Sequence, residues 1–151
     1  MARLPTEASG DPIALALFAE IATLDQLARG RLQKALPKGM ELSHYTVLSV
    51  LARANHPESP AQLSRRFHVT KAAMTNTLGK LEKAGHIHVT PDWNDARRKL
   101  VTISPSGQSA RDMAAEAVAP VFEKVVARLG ADSIRAALPF LRNLREMLRE
   151  D

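Results

Sequence analysis

The sequence contains no cysteine. Disulfides, cysteine-ligated zinc and thiol redox sensing are therefore excluded. No run approaches the roughly 18 apolar residues that a membrane-spanning helix needs. The first residues, "MARLPTEASGDP", lack the apolar core of a signal peptide. A soluble, cytoplasmic protein without a membrane partner is the expectation. There is no internal repeat and no low-complexity segment. No nucleophile–base arrangement, phosphate-cradling glycine loop or suitably spaced pair of acids stands out, so neither an enzyme nor a cofactor is expected. His86 and His88, two apart on a strand pattern, share a face but have no evident third ligand, and no metal site is expected.

What is present is a 151-residue chain, 45% apolar, with a net charge of +5. That length suits one domain, or a small domain with a helical extension. The charge is uneven. Between Asn55 and Pro105, eight Lys and Arg stand against four Asp and Glu, so this third of the chain carries +4 of the +5. An anion-facing surface belongs there.

The pattern predicts a mainly α protein with a small β-hairpin. Residues 1–11 read as a disordered tail. Asp11-Pro12 then caps a long helix over 12–36, with Ile13, Leu17, Phe18, Ile21, Leu24 and Leu32 on one face. Ser43 can cap a second helix, "HYTVLSVLARA". Ser59-Pro60-Ala61-Gln62 fits a capping box and opens a short third helix. Thr70 caps a fourth, "KAAMTNTLGKLEKA", stopped by Gly85. A three-residue turn separates these two. Alternating "HIHVT" and "KLVTIS" form a hairpin, with 91–98, "PDWNDARR", as its loop; Trp93 packs at its base, the alternative being a residue that stacks on a nucleic acid. Ser104-Pro105 starts a fifth helix with Met113, Ala117, Val121, Val125 and Leu129 on one face, kinked at Pro120. Asp132 or Ser133 starts the last, carrying Ile134, Leu138, Leu141, Leu144 and Leu148, which Pro139 should bend or split.

Three helices followed by a hairpin, over 43–104, form a winged helix-turn-helix. The helix from Thr70 suits a major groove, which admits one α-helix. Its first half offers Lys71, Ala72, Thr75 and Asn76, small or polar residues that allow close approach, and Asn76 can contact adenine at two points. The hairpin cations Arg97, Arg98 and Lys99 point at phosphate and at a minor groove. Arg65 and Lys80 stand where phosphate would pass. The partner implied is double-stranded DNA. The alternative is a winged-helix protein-interaction module without DNA binding, which predicts a neutral or acidic fourth helix and wing.

The segments "LSHYTVLSVLA", "SPAQLSRRFHVTKAAMTNTLGKLEKAGHI" and "DARRKLVTISPSG" resemble the core of MarR-type transcriptional regulators, and the resemblance extends over about residues 12–150. It implies a DNA-binding transcriptional regulator, usually a repressor, acting on a pseudo-palindromic operator. It gives Arg97 the role of entering the minor groove and Asp95 that of orienting it. It implies a homodimer built by the N-terminal helix and the helices of 105–151, with Ile13, Leu17, Leu141, Leu144 and Leu148 at the interface. It also implies a small aromatic effector between these arms and the DNA-binding lobe, near Phe18, His44, Tyr45 and Leu48. Ser104-Pro105 departs from the family's usual threonine and non-proline, which should only stiffen the helix start.

Overall fold

A computed structural model describes residues 11–149. The tail expected over 1–11 lies outside them, except Asp11. Four of the expected caps form as local chemistry dictates. The Asp11 carboxylate accepts from the Ile13 N–H and opens α1 (Pro12–Ala35). Ser59 and Gln62 exchange bonds in a capping box that opens α3 (Pro60–Arg66). Thr70 Oγ1 accepts from Ala73 N–H at the start of α4 (Lys71–Lys83). Ser104 Oγ accepts from Gly107 N–H and begins α5 (Pro105–Leu129). Each satisfies a helix-end N–H that would otherwise lack a partner.

Two starts differ from the sequence reading. Helix α2 (Leu42–Arg53) is capped by Glu41, not Ser43, whose residue lies inside the first turn. The Glu41 N–H donates to His44 Nδ1, and Gln33 of α1 binds both Met40 O and Leu42 N–H, which fixes the helix start two residues earlier. The last helix, α6 (Ala131–Met147), begins directly after Gly130 rather than at Asp132 or Ser133. Gly130 has φ +79, which lets α5 end and α6 start at a single residue. Pro139 does not split α6, and α5 runs on through Pro120.

The hairpin differs most. Strand β1 (Ile87–Asp92) pairs antiparallel with β2 (Asp95–Ile103), so only Trp93 and Asn94 lie between them. The expected 91–98 loop is therefore mostly strand. The register runs evenly from Ile87↔Ile103 to Pro91↔Lys99, then jumps to Asp92↔Asp95. Ala96, Arg97 and Arg98 have no rung on β1 and form a bulge. Pro91 contributes to this: it has no N–H to give the ladder at that point. Trp93 packs against nothing at the base. It is 96% exposed at the turn.

Two cores form. In the first, Val47, Leu48 and Leu51 of α2, Leu63 of α3, Met74, Leu78 and Leu81 of α4, and Ile87 and Val101 of the hairpin pack together. The second joins α1 to α5 through Leu36, Ala114 and Val118, with Leu32 and Tyr45 alongside. The buried stripe of α5 is thus Gly107, Ala114 and Val118, one position round from the expected Met113–Ala117 face, and Met113 is exposed. Helices α1 and α6 bury no residue completely. Their apolar faces stand open, with Ile13 77% exposed.

Candidate nucleic-acid interface

Helix α3 packs across α4 through a turn in which His68 takes φ +52, the one non-glycine residue with positive φ among the described residues. Core residues Met74, Leu78 and Leu81 anchor the inner face of α4. The opposite face presents Thr70, Lys71, Ala72, Thr75 and Asn76 to solvent, as the 3.6-residue period requires.

The bulge in β2 brings the wing to this face. Lys71 and Thr75 of α4, Arg97, Arg98 and Lys99 of the wing, and Ser59, Pro60 and Ala61 at the start of α3 line one cleft of about 230 Å³. Four cations on its walls, all exposed, leave it strongly positive. The sequence reading anticipated Lys71, Thr75 and the three wing cations but missed the floor at Ser59–Ala61. A capping box says where a helix starts, not what its start faces.

The resemblance gives Asp95 the orienting of Arg97, and the structure joins the two residues through the main chain. Asp95 Oδ1 accepts from the backbone N–H of Arg97 at 3.1 Å. The carboxylate fixes the main chain that carries the arginine, leaving the guanidinium outside that bond. Asp92 makes the same kind of turn bond to Asn94 N–H across the tip.

The base of the wing is held by a device invisible to local patterns. Glu58, 2% exposed, exchanges backbone hydrogen bonds with Val101 on the outer edge of β2. Its carboxylate accepts from Arg66 at 3.0 Å. Arg66 is therefore committed to the scaffold, whereas Arg65 beside it is exposed. Lys80 is also committed: its ammonium meets the Glu41 carboxylate at 3.1 Å, tying α4 to the cap of α2. The hydrogen bond and charge of Lys80 hold the Glu41 carboxyl below its ordinary range.

The four residues expected near an effector are not brought together. Leu48 is wholly buried in the first core, and Tyr45 packs against the second. Phe18 lines a groove between α1 and α6 instead. Only His44 reaches the cavity of about 420 Å³ at the junction of lobe and arms, which Met40, Glu41, Lys80, His86 and Met113 help to line. His44 Nε2 is buried without a hydrogen-bond partner, 3.9 Å from Glu41 Oε2. Burial holds the imidazole below its ordinary pKa of 6.5; Lys80 and His86 push the same way, and Glu41 opposes them. Between that lowered value and 6.5 the unfolded chain binds a proton that the folded chain does not. Stability is thus complete above about pH 6.5 and declines as pH falls through the folded pKa. The urea midpoint of the parent is expected to drop between pH 7.5 and 5, and His44→Gln to flatten part of that slope. An unchanged slope in the variant would mean that other groups carry it.

Among the described residues there is no group of three or more potential metal ligands, and no helix long and apolar enough to cross a membrane. A helix, a tight turn, a second helix with an open polar face, and a two-stranded wing carrying cations define a winged helix-turn-helix. Residues 38–98, which hold most of the winged domain, match the model of the MarR family. The chain is 31% identical over 81 residues to the transcriptional activatory protein BadR of Rhodopseudomonas palustris, an overlap of 52% of this chain and 46% of that protein. The chain thus spans about half the length of this curated relative. The fold superposes on a mutant of MarR from E. coli complexed with operator DNA, with TM-score 0.79 and 22% identity over 89% of this chain and 99% of that one. It superposes equally on a Staphylococcus aureus MarR in complex with salicylate and kanamycin, TM-score 0.79 and 20% identity over 92% and 94% of the two chains. The fold is thus shared with these solved structures.

Proposed function

We propose that this chain is a sequence-specific, homodimeric DNA-binding transcriptional regulator of the cytoplasm, a repressor in its simplest form and not an enzyme. The observation that carries the reading is the cleft in which Lys71 and Thr75 of α4 face Arg97, Arg98 and Lys99 of the wing. Small and polar residues on α4 reach base edges in the major groove, while the wing follows the backbone into the neighbouring minor groove. A protein-interaction module without DNA binding would carry a neutral or acidic face here. The family match of the winged domain supports the regulator reading as well.

The homodimer rests on the open apolar faces of α1 and α6, where Ile13, Leu17, Leu141, Leu144 and Leu148 stand wholly or partly exposed. Two copies present two α4 helices to successive half-sites of a pseudo-palindrome. The junction cavity beside the Glu41–Lys80 pair suits a small aromatic effector that would bias α4.

The test is fluorescence-anisotropy titration of labelled genomic fragments at several salt concentrations, with sedimentation of the free protein. Binding should weaken by about 10³-fold or more between 50 and 200 mM salt if six or more phosphates are engaged. The sedimenting species should have twice the 16.5 kDa chain mass. The double substitution Leu141→Asp, Leu148→Asp should give a folded or partly folded monomer that binds at least tenfold more weakly, since coupled half-sites are lost. Salt-independent binding, or full affinity in a monomer, would count against the reading.

A further inference from the structure

The fold makes no use of Trp93. It is the chain's one tryptophan. It occupies the two-residue turn of the wing and is 96% exposed. The turn does not need it: Asp92 supplies the turn hydrogen bond to Asn94, and neither Trp93 nor Asn94 has positive φ. An indole offers about 150–250 Å² of surface, and water is a poor place for it. The surface must be matched to a partner or tolerated at a cost in solubility.

Its position indicates the partner. Lys99 occupies the last regular rung, opposite Pro91, and Arg97 and Arg98 stand in the bulge just beyond it. Trp93 follows two residues after Pro91, roughly 7 Å further out at strand spacing. A duplex engaged by the cations of the cleft therefore meets the indole next, on the far side of the same backbone. B-DNA's minor groove is about 6 Å wide, which admits a flat ring edge-on but not a folded turn with bulky side chains.

We infer that Trp93 is an aromatic wedge that enters the minor groove beyond the cationic bulge and stacks at a deformable base step, adding step-dependent selectivity to the wing. The inference rests on the DNA-binding reading above. Side chains that wedge between base steps pay for partial unstacking, which is cheapest at pyrimidine–purine steps. Stacking on an aromatic ring is indifferent to base identity. The residue thus reads the flexibility of the step and not its hydrogen-bonding edge.

Two polymers isolate that property. Alternating poly(dA-dT) and the homopolymer poly(dA)·poly(dT) present the same minor-groove acceptors. Only the first contains flexible TA steps, and the second is a stiff A-tract. Full-length protein is titrated with each at low salt, following both the anisotropy of labelled duplex and the intrinsic emission of Trp93. Quenching should be strong on the alternating polymer and weak on the homopolymer. Trp93→Ala should lose about tenfold in affinity on the first and less than threefold on the second. Trp93→Phe should recover most of the loss. An exposed turn residue with no packing partner leaves folding intact in both variants. Binding by all variants with unchanged emission and equal affinities would overturn the wedge while leaving the DNA-binding reading in place. Absence of binding to either polymer, or to genomic fragments, would overturn both. Emission already blue-shifted and shielded from acrylamide in the free protein would mean that a second copy covers the indole, and would overturn the inference. So would a blue shift with phosphatidylglycerol vesicles but not with DNA.

Discussion

Gly107→Ala is expected to cost about 3 kcal/mol of stability or more, from overpacking alone. Helix propensity predicts the opposite sign, since alanine is better than glycine in a helix by nearly 1 kcal/mol. Packing decides the outcome. A Cβ on Gly107 would overlap the carbonyl oxygen of His86, with the carbonyl carbon at 2.8 Å and Ile103 Cγ1 at 3.0 Å. Backbone cannot swing aside as the end of a side chain can. That carbonyl also accepts the Ser104 N–H, while Ser104 Oγ donates to Gly85 O at 2.6 Å and accepts from Gly107 N–H. Pushing α5 away from His86 therefore breaks the joint between the winged lobe and the arm, not one contact. Gly79, on the exposed face of α4 with nothing near its missing Cβ, is the control. Gly79→Ala should stabilise by about 0.5–1 kcal/mol, because only propensity acts there. Urea denaturation of the two variants beside the parent decides the matter. If Gly107→Ala is as stable as the parent, the α5 joint is looser than its geometry says.

The features that were legible in the sequence are those fixed within a few residues. Asp11-Pro12, Ser59-Pro60, Thr70 and Ser104-Pro105 each set a helix start, because a cap needs only its own side chain and the next turn's N–H groups. The order of helices and hairpin followed, and with it the winged architecture. Cross-chain geometry was not legible. The bulge at Ala96–Arg98 depends on how β1 and β2 fall into register, and a two-residue turn with strands on both sides looks like a long polar loop when read alone. The Glu58 pairings, with Val101 across 43 residues and with Arg66 along α3, leave no periodic trace. The resemblance placed Leu48 with His44 near an effector. One helical turn separates them, yet His44 lies at the cavity and Leu48 is enclosed by the core. For Trp93 the sequence favoured packing at the hairpin base over stacking on DNA; its exposure could be known only once the tip had been located.

The wing and the recognition helix should separate in their response to salt and to sequence. Arg97→Ala removes one cation per subunit from a bulge that faces Lys71 and Thr75 across the cleft. Affinity should fall by about 1–3 kcal/mol per site, most where an A·T-rich flank narrows the minor groove. The salt slope should shrink by about one unit for each phosphate-side charge lost. Asp95→Ala is the discriminating variant. Counting charge predicts tighter binding, because an anion is removed beside three cations. The structure predicts weaker binding, because Asp95 Oδ1 holds the Arg97 N–H and with it the bulge that aims the guanidinium. Asp95→Asn retains an acceptor oxygen and should recover most of the loss; recovery of that kind would assign the effect to turn geometry and not to charge. Asn76→Ala, on the exposed face of α4, should leave the salt slope nearly unchanged and relax preference at one base pair in each half-site. The measurement is anisotropy titration on a selected high-affinity fragment and on its scrambled counterpart at several salt concentrations. If Asp95→Ala binds more tightly than the parent and Arg97→Ala binds equally well, the wing is a solvated hairpin and the cleft is not where DNA lies.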